Sequence, residues 1–539
     1  MSSHSTATTI PALLDDQARL GDHPAVIDGD EIVGYAQLRE RVHEAARGYL
    51  ALGVRRGDRV AIWAQNRLEF ILAMLGAQAI GVAVVPLNTR FTGREAGELL
   101  ARSGSSVLVV ADGFLGKSYS TLVKRALADE PAEGDGPVPA LGSLHTIVHL
   151  DPVAAAPGEI AWHDFLGGGS AVPDDELAAA LAAVEPDDVA DILFTSGTTG
   201  VPKGVMSAQR QTIGVAAAWA IGSDLGVDDR YAVVNPFFHG FGYKAGLVTS
   251  LVAGATIYPV ATLDTTALLQ LIASERITVL PGVPTVFTSL LDHPDLASFD
   301  TSSLRFAIAG ATTAPETLFQ DMAEVLGFDR VAQAYGLSEC IVATMSRPGE
   351  SLDHAKQTTG PAVANTEIRV IDPDGVDVPT GTDGEILLRG ENVMLGYYED
   401  EAATRAAVDD DGWFHTGDVG QLDEHGCLKI TDRLKDMFIV GGFNVYPAEI
   451  ENVLRQHPAV NESAVVGVDD ARLGTVGLAY VALRHDAEPV DAAELDRFCR
   501  ERLANFKVPR AFEFVDDFPR TGAGKILKGE LRERAASGA

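Results

Sequence analysis

Apolar runs of strand length alternate with stretches of helix length from about residue 25 to residue 340. Arg59-Val-Ala-Ile-Trp63, Val82-Ala-Val-Val-Pro86, Ser106-Val-Leu-Val-Val-Ala111, Tyr231-Ala-Val-Val234 and Leu304-Arg-Phe-Ala-Ile-Ala309 are such runs, and their alternation predicts an α/β fold. Asp129 to Gly142, rich in Pro, Gly and acid, predicts an exposed loop, whereas Glu176 to Val184 places Leu177, Leu181 and Val184 on one helical face for packing. From Glu367 to Ile430 short β runs dominate, including Glu367-Ile-Arg-Val-Ile371 and Glu385-Ile-Leu-Leu388, which predicts a small β subdomain. After Arg433 the pattern restarts. It predicts a helix from Ala448 to Gln456 with Ile450, Val453 and Leu454 on one face, strands Ser463–Val466 and Ala479–Leu483, a helix from Ala492 to Leu503 and a strand Phe512–Val515. Roughly a hundred residues are enough for an independent domain. The predicted organisation is a large N-terminal unit, residues 1–432, and a small α+β unit, residues 433–539.

One loop carries more chemistry than any other segment. Val189-Ala-Asp-Ile-Leu-Phe194 reads as a buried strand, and Thr195-Ser-Gly-Thr-Thr-Gly-Val-Pro-Lys203 follows it with hydroxyls, glycines and a terminal cation. Backbone N–H groups at a strand end, joined by hydroxyl donors and an ammonium, suit a polyphosphate. A Walker A loop would place Gly-Lys-Ser/Thr after Gly and four residues; counting on from Gly197 reaches Pro202 instead.

Composition narrows the partners. At 539 residues, with 46% hydrophobic and 22% charged residues, the chain is an ordinary globular protein too long for one core. No long uninterrupted apolar run predicts a membrane-spanning helix, and the N-terminus lacks the basic start and apolar stretch of a secretory signal, so a cytoplasmic location is expected. A formal net charge of −34 argues against a nucleic-acid partner. The three cysteines, Cys340, Cys427 and Cys499, are too far apart for a disulfide framework or a zinc site. Cys340 directly follows Glu339 with no base beside it in sequence, and Cys499 shares an apolar helix face with Leu495 and Phe498. Arg433, Lys435, Lys507, Arg510, Arg520, Lys525 and Lys528 cluster in the last fifth of the chain, where a mobile basic domain would meet anionic ligands.

Downstream of the loop stand Pro236-Phe-Phe-His239-Gly-Phe-Gly242, Ala309-Gly-Ala-Thr312, Tyr335-Gly-Leu-Ser-Glu339, Gly412-Trp-Phe-His-Thr-Gly-Asp418, Asp432-Arg433-Leu-Lys435, Gly441-Gly-Phe-Asn-Val-Tyr-Pro-Ala-Glu-Ile-Glu451 and Pro519-Arg-Thr-Gly-Ala-Gly-Lys525. Taken in order, these motifs resemble the AMP-forming superfamily of acyl-CoA synthetases, adenylation domains and luciferases over nearly the whole chain. The resemblance implies an ATP-dependent carboxylate-CoA ligase, with ATP, Mg²⁺ and coenzyme A as cosubstrates and cofactor. It places ATP and AMP on Thr195, Ser196, Gly197, Thr198, Thr199, Gly200, Lys203, Gly310, Ala311, Tyr335, Gly336, Ser338, Asp418, Arg433 and Lys525.

In that scheme Glu339 ligates the metal, Asp418 and Arg433 hold the ribose, and Lys525 reaches the α-phosphate and the carboxylate. Thr195 and His239 complete the catalytic candidates. For His239 a gating or packing role in the acyl pocket, which also includes Gly242 and Gly310, is preferred to general-base chemistry. Gly242, Gly246 and Gly310 are expected to widen that pocket for a fused ring. Gly441, Gly442, Phe506 and Arg510 are the coenzyme A candidates, and Lys435 is the hinge about which the small unit rotates between half-reactions.

Asn235 to Gly246, Arg433 to Glu449 and Leu503-Ala-Asn-Phe-Lys507 are similar to the actinobacterial branch that acts on a bicyclic steroid-derived propanoate in lipid catabolism. The alternatives are a medium- or long-chain fatty acyl-CoA synthetase and an adenylation enzyme that loads a separate carrier protein. A luciferase-type oxygenase shares His239-Gly-Phe-Gly242, and a homodimer stays open.

Overall fold

The computed structural model describes residues 4–127, 142–152, 157–196, 202–310, 316–433, 438–445, 447–484, 490–519, 526 and 528–537. The expected loop from Asp129 to Gly142 lies almost wholly outside them. The apolar runs form strands as the pattern predicts, and they order into two large sheets. In the first, Val189–Ser196, Ala83–Pro86, Arg59–Trp63, Val107–Val110, Thr146–His149 and Glu159–Ala161 run parallel. Its other edge turns antiparallel through the hairpin partner Pro202–Ala208 and the short strand Gly396–Tyr397. In the second, Arg230–Val233, Thr256–Pro259 and Pro24–Asp28 are parallel and Glu31–Gly34 closes the edge.

Both sheets contribute to one core that includes Val60, Val109, Val233 and Ile257, all at most 1% exposed. A second core gathers Leu268, Phe287, Phe319 and Leu326. The helix Asp174–Ala182 packs through Leu177 as its periodicity predicts, with Leu181 partly buried against the same core. Antiparallel strands Thr366–Ile371, Gly384–Gly390, Phe414–Leu422 and Leu428–Arg433 make the expected β subdomain.

Residues after 437 have a core of their own, with Val445, Ile450, Leu454, Val481 and Leu495. The helix Pro447–Arg455 lies against the long hairpin Val460–Asp470 and Gly474–Leu483, and Ala511–Phe514 adds in parallel to that hairpin's second strand. The helix expected to reach Leu503 ends at Arg500, because the Arg502 and Leu503 N–H groups both converge on the Cys499 carbonyl and tighten the last turn. All three cysteines are buried and free, and burial pushes the Cys340 thiol up to about 12, where it is no nucleophile. No described helix is long and apolar enough to cross a membrane.

One charged pair sits inside the large unit. Lys244 and Asp191 are 1% and 0% exposed and 3.0 Å apart. Lys244 also donates to Ser207 Oγ at 2.6 Å, and Asp191 accepts from Thr212 Oγ1 at 2.8 Å and Tyr243 Oη at 3.3 Å. Burial pulls the Lys244 pKa down, and Asp191 opposes that shift. Asp191 is on the strand that leads into Thr195, and Lys244 lies in a π-helical segment, Tyr243–Val248, just after His239. The pair therefore ties the strand Val189–Ser196 to the segment that follows His239. Removing one partner strands the other charge, so Asp191→Ala should cost about 3–5 kcal/mol in chemical denaturation. The double variant Asp191→Asn/Lys244→Met should recover much of that loss; an Asp191→Ala stability equal to wild type would show the pair to be idle.

Candidate active site

The loop expected to hold polyphosphate joins two antiparallel strands, Val189–Ser196 and Pro202–Ala208. Thr195 pairs with Lys203 in register, and Thr195 Oγ1 donates to the Lys203 carbonyl at 3.5 Å. Gly197, Thr198, Thr199 and Gly200 lie outside the described residues, as do Ala311, Lys435, Lys525 and the side chains of Ser196 and Arg433. What is described places the loop's cation beside the acid expected to bind metal. The Lys203 ammonium sits 4.7 Å from the Tyr397 ring centroid, and Tyr397 Oη donates to Glu339 Oε1 at 2.8 Å. Burial raises the Glu339 pKa above the usual carboxylate range, opposed by the Tyr397 hydrogen bond and the Lys203 charge and reinforced by Asp418. Chain pairing holds this group in place, because Tyr397 is registered opposite Val205, two residues past Lys203.

A second hydrogen bond joins two of the nucleotide candidates. Tyr335 Oη donates to Asp418 Oδ2 at 2.7 Å, and both residues are over nine-tenths buried. Asp418 is paired across the β subdomain with Arg433, which brings the two ribose candidates to one position. Gly336 is where the chain folds back on itself, since a Cβ there would lie 1.9 Å from the Ile341 carbonyl oxygen.

A cavity of about 210 Å³ opens next to these elements. Thr195, Ser338 and His239 line it from the large unit; Phe443, Phe506 and Lys507 line it from the small one. Phe443 stacks on Phe506 at 4.6 Å and faces Phe238 at 6.5 Å, forming an aromatic seam across the junction. The glycine turn approaches closely. A Cβ on Gly442, whose φ is +86°, would lie 2.8 Å from Val283 Cγ1. His239 Nδ1 accepts the Phe241 N–H at 3.2 Å, which leaves the ring proton on Nε2, and burial lowers its pKa. With Nδ1 occupied in this way, the ring can present only its Nε2–H as a hydrogen-bond donor.

One expectation needs correction. Gly242 does not widen a pocket, because a Cβ there would meet the Pro236 and Asn235 carbonyl oxygens at 2.2 and 2.3 Å; Gly246 likewise faces Val233 Cγ1 at 2.7 Å. Both glycines permit close packing, whereas Gly310 faces the Phe241 ring at 3.6 Å. Arg510 is exposed and does not line the cavity, and its N–H donates to the Gly477 carbonyl at 2.7 Å. The cations that do line it are Arg94, Arg502 and Lys507. Phe238 and Phe443 fall inside quoted motifs without being singled out there, and Tyr397 lies outside all of them.

Residues 14–398 match the family AMP-binding enzyme, and residues 449–525 match the AMP-binding enzyme C-terminal domain. The chain is 47% identical to the 3-[(3aS,4S,7aS)-7a-methyl-1,5-dioxo-octahydro-1H-inden-4-yl]propanoyl:CoA ligase of Rhodococcus jostii (strain RHA1), over 98% of each chain. It is also 47% identical to the protein of the same name from Mycobacterium tuberculosis (strain ATCC 25618 / H37Rv), over 97% of this chain and 98% of the relative. Among solved structures it resembles an o-succinylbenzoate CoA synthetase from Bacillus subtilis bound to a product analogue. That match has a TM-score of 0.80 and 30% identity over 97% of this chain and 98% of the other.

Tyr397→Phe keeps the ring under Lys203 but removes the hydrogen bond that lowers the Glu339 pKa. If the ionised carboxylate is the active form, activity falls as pH drops through that pKa, and the variant's acid limb should lie at higher pH than wild type. A pH–rate profile with an unmoved acid limb would exclude Glu339 as the titrating group.

Proposed function

The chain belongs to the AMP-binding enzyme family, and from that premise we propose that it is an acyl-CoA synthetase acting on a bicyclic, steroid-derived propanoate. The observation that carries the thiol-ligase reading is the cavity shared by the two units, which runs beside Thr195, Ser338 and His239 and is walled by the aromatic seam. A hydrolase acting on an adenylate would need only water; a cavity built at the junction of two units suits a long thiol.

A carboxylate is a poor electrophile, because its charge repels nucleophiles and its leaving group would be oxide. In the proposed first step its oxygen attacks the α-phosphorus of ATP, the bond to the bridging oxygen breaks, and acyl-AMP and pyrophosphate form. Thr195, Ser338, Lys203 and the loop 197–200 offer donors and positive charge to the phosphates, and Lys525 is assigned to the α-phosphate and the carboxylate. The developing charge at phosphorus is the reason donors must converge there. Tyr335 holds Asp418 by a 2.7 Å hydrogen bond, which suits that carboxylate to accept from the ribose hydroxyls.

Glu339 fits a hard cation, since it is an oxygen ligand held by Tyr397 beside the phosphate loop; Mg²⁺ bound there with phosphate oxygens and water would neutralise charge on the polyphosphate. In the second step the thiol sulfur attacks the acyl carbon, AMP leaves with the bonding pair, and the thiol proton is lost to solvent or to the leaving phosphate. His239, with its ring proton on Nε2, contributes orientation there. Rotation about Lys435 would exchange Lys525 for the Gly441–Gly442 turn between the two steps.

The acyl group is supported by the two relatives at 47% identity, both named for an inden-4-yl propanoyl substrate. Competition between that bicyclic propanoate, octanoate and palmitate should give the bicyclic acid the highest kcat/KM, by roughly tenfold or more. A straight-chain acid ahead by the same margin would replace the steroid reading with the fatty-acid one.

A further inference from the structure

Lys507 is 5% exposed and lies between two carboxylates from different units. Its ammonium is 2.7 Å from Glu449 Oε1, in the first turn of the small unit's Pro447–Arg455 helix, and 3.0 Å from Glu95 Oε1 of the large unit. Glu95 is held at an exact place by its own helix. It is the third residue of Gly93–Ser103 and completes a capping box, with Oε2 accepting the Thr92 N–H at 2.8 Å and the Thr92 hydroxyl at 3.0 Å. That leaves Oε1 turned outward, where it accepts both Lys507 Nζ and the Ala504 N–H, the latter at 3.3 Å. Lys507 also lies 4.9 Å from the Phe91 ring centroid and 5.7 Å from that of Phe506, so the ion cluster and the aromatic seam form one continuous junction.

We propose that Glu95 and Lys507 form a reversible latch that holds the small unit in the arrangement that accepts the thiol, and that Glu95 is a positioning residue for thioester formation alone. Reversibility follows from where the charges sit. When the small unit departs, Lys507 takes Glu449 with it, and Glu95 keeps its Thr92 cap. Neither side is left with a buried charge lacking a partner, which is the costly outcome for an ordinary buried ion pair. The latch therefore adds stability to one arrangement without trapping it. The contacts it holds are those of the cavity wall, with Gly442 against Val283 and Phe443 facing Phe238.

This inference rests on the two-step ligase reading, and the half-reactions separate the two claims. Glu95→Gln keeps the capping box, because Gln serves at that position, but removes the charge facing Lys507. Adenylation is read as pyrophosphate release without thiol in a single turnover; thioester formation is read from preformed acyl-adenylate and coenzyme A. Thioester formation in Glu95→Gln should fall about tenfold, the scale of one lost charge-assisted hydrogen bond, while adenylation stays at the wild-type rate or rises. Adding Lys507→Met to Glu95→Gln should cost less than Lys507→Met costs alone, because the two changes remove one shared contact. Equal loss in both half-reactions, or an unchanged thioester rate, would overturn the latch while leaving the ligase reading intact. A wild-type enzyme that makes no thioester would instead overturn the ligase reading, and the latch with it.

Discussion

The Lys507 ammonium between Glu95 and Glu449, together with the Phe238, Phe443 and Phe506 rings beside it, is the junction on which the site's geometry depends. The cavity takes its walls from both units, so it exists in this form only while that junction is closed. The large unit supplies the groups suited to a nucleotide: Lys203, Tyr397 and Glu339 in one chain of contacts, and Tyr335 with Asp418 in another. The small unit supplies the glycine turn and the outer wall. Chemistry on a carboxylate needs the first set, and delivery of a thiol needs the second.

Charge is the constraint that makes this division sensible. A chain of net charge −34 repels polyanions over most of its surface, and both nucleotide substrates are polyanions. Local cations must therefore be placed where they count. Lys203 stands opposite Thr195 on the paired strands, and Arg94, Arg502 and Lys507 line the junction cavity. Glu339 shows the opposite requirement. Its burial works against ionisation, and the Tyr397 hydrogen bond and the Lys203 charge oppose that shift.

Much of this was legible in the sequence where function is local. The strand from Val189, the β subdomain and the small unit follow from periodicity, and the motifs at Tyr335 and Asp418 point to residues that do meet in space. Contacts between distant segments were not legible. Tyr397 reaches Glu339 across 58 positions and Lys507 reaches Glu95 across 412, and no periodicity or motif spacing encodes such pairs. Small residues misled for a physical reason: Gly242 and Gly246 look like room for a ligand, yet a missing side chain serves equally well to bring two backbones together. The burial of Lys507 between carboxylates of two units is likewise a three-dimensional fact that its place in Asn505–Arg510 does not encode.

The direct measurement is a product balance. The enzyme is incubated with ATP labelled at the γ-phosphate, Mg²⁺, coenzyme A and the bicyclic propanoate, and nucleotide, labelled phosphate species and thioester are quantified together. One AMP, one labelled pyrophosphate and one acyl-CoA should appear per carboxylate consumed, with acyl-AMP accumulating when coenzyme A is withheld. ADP with labelled orthophosphate, or AMP formed with no thioester, would contradict the account.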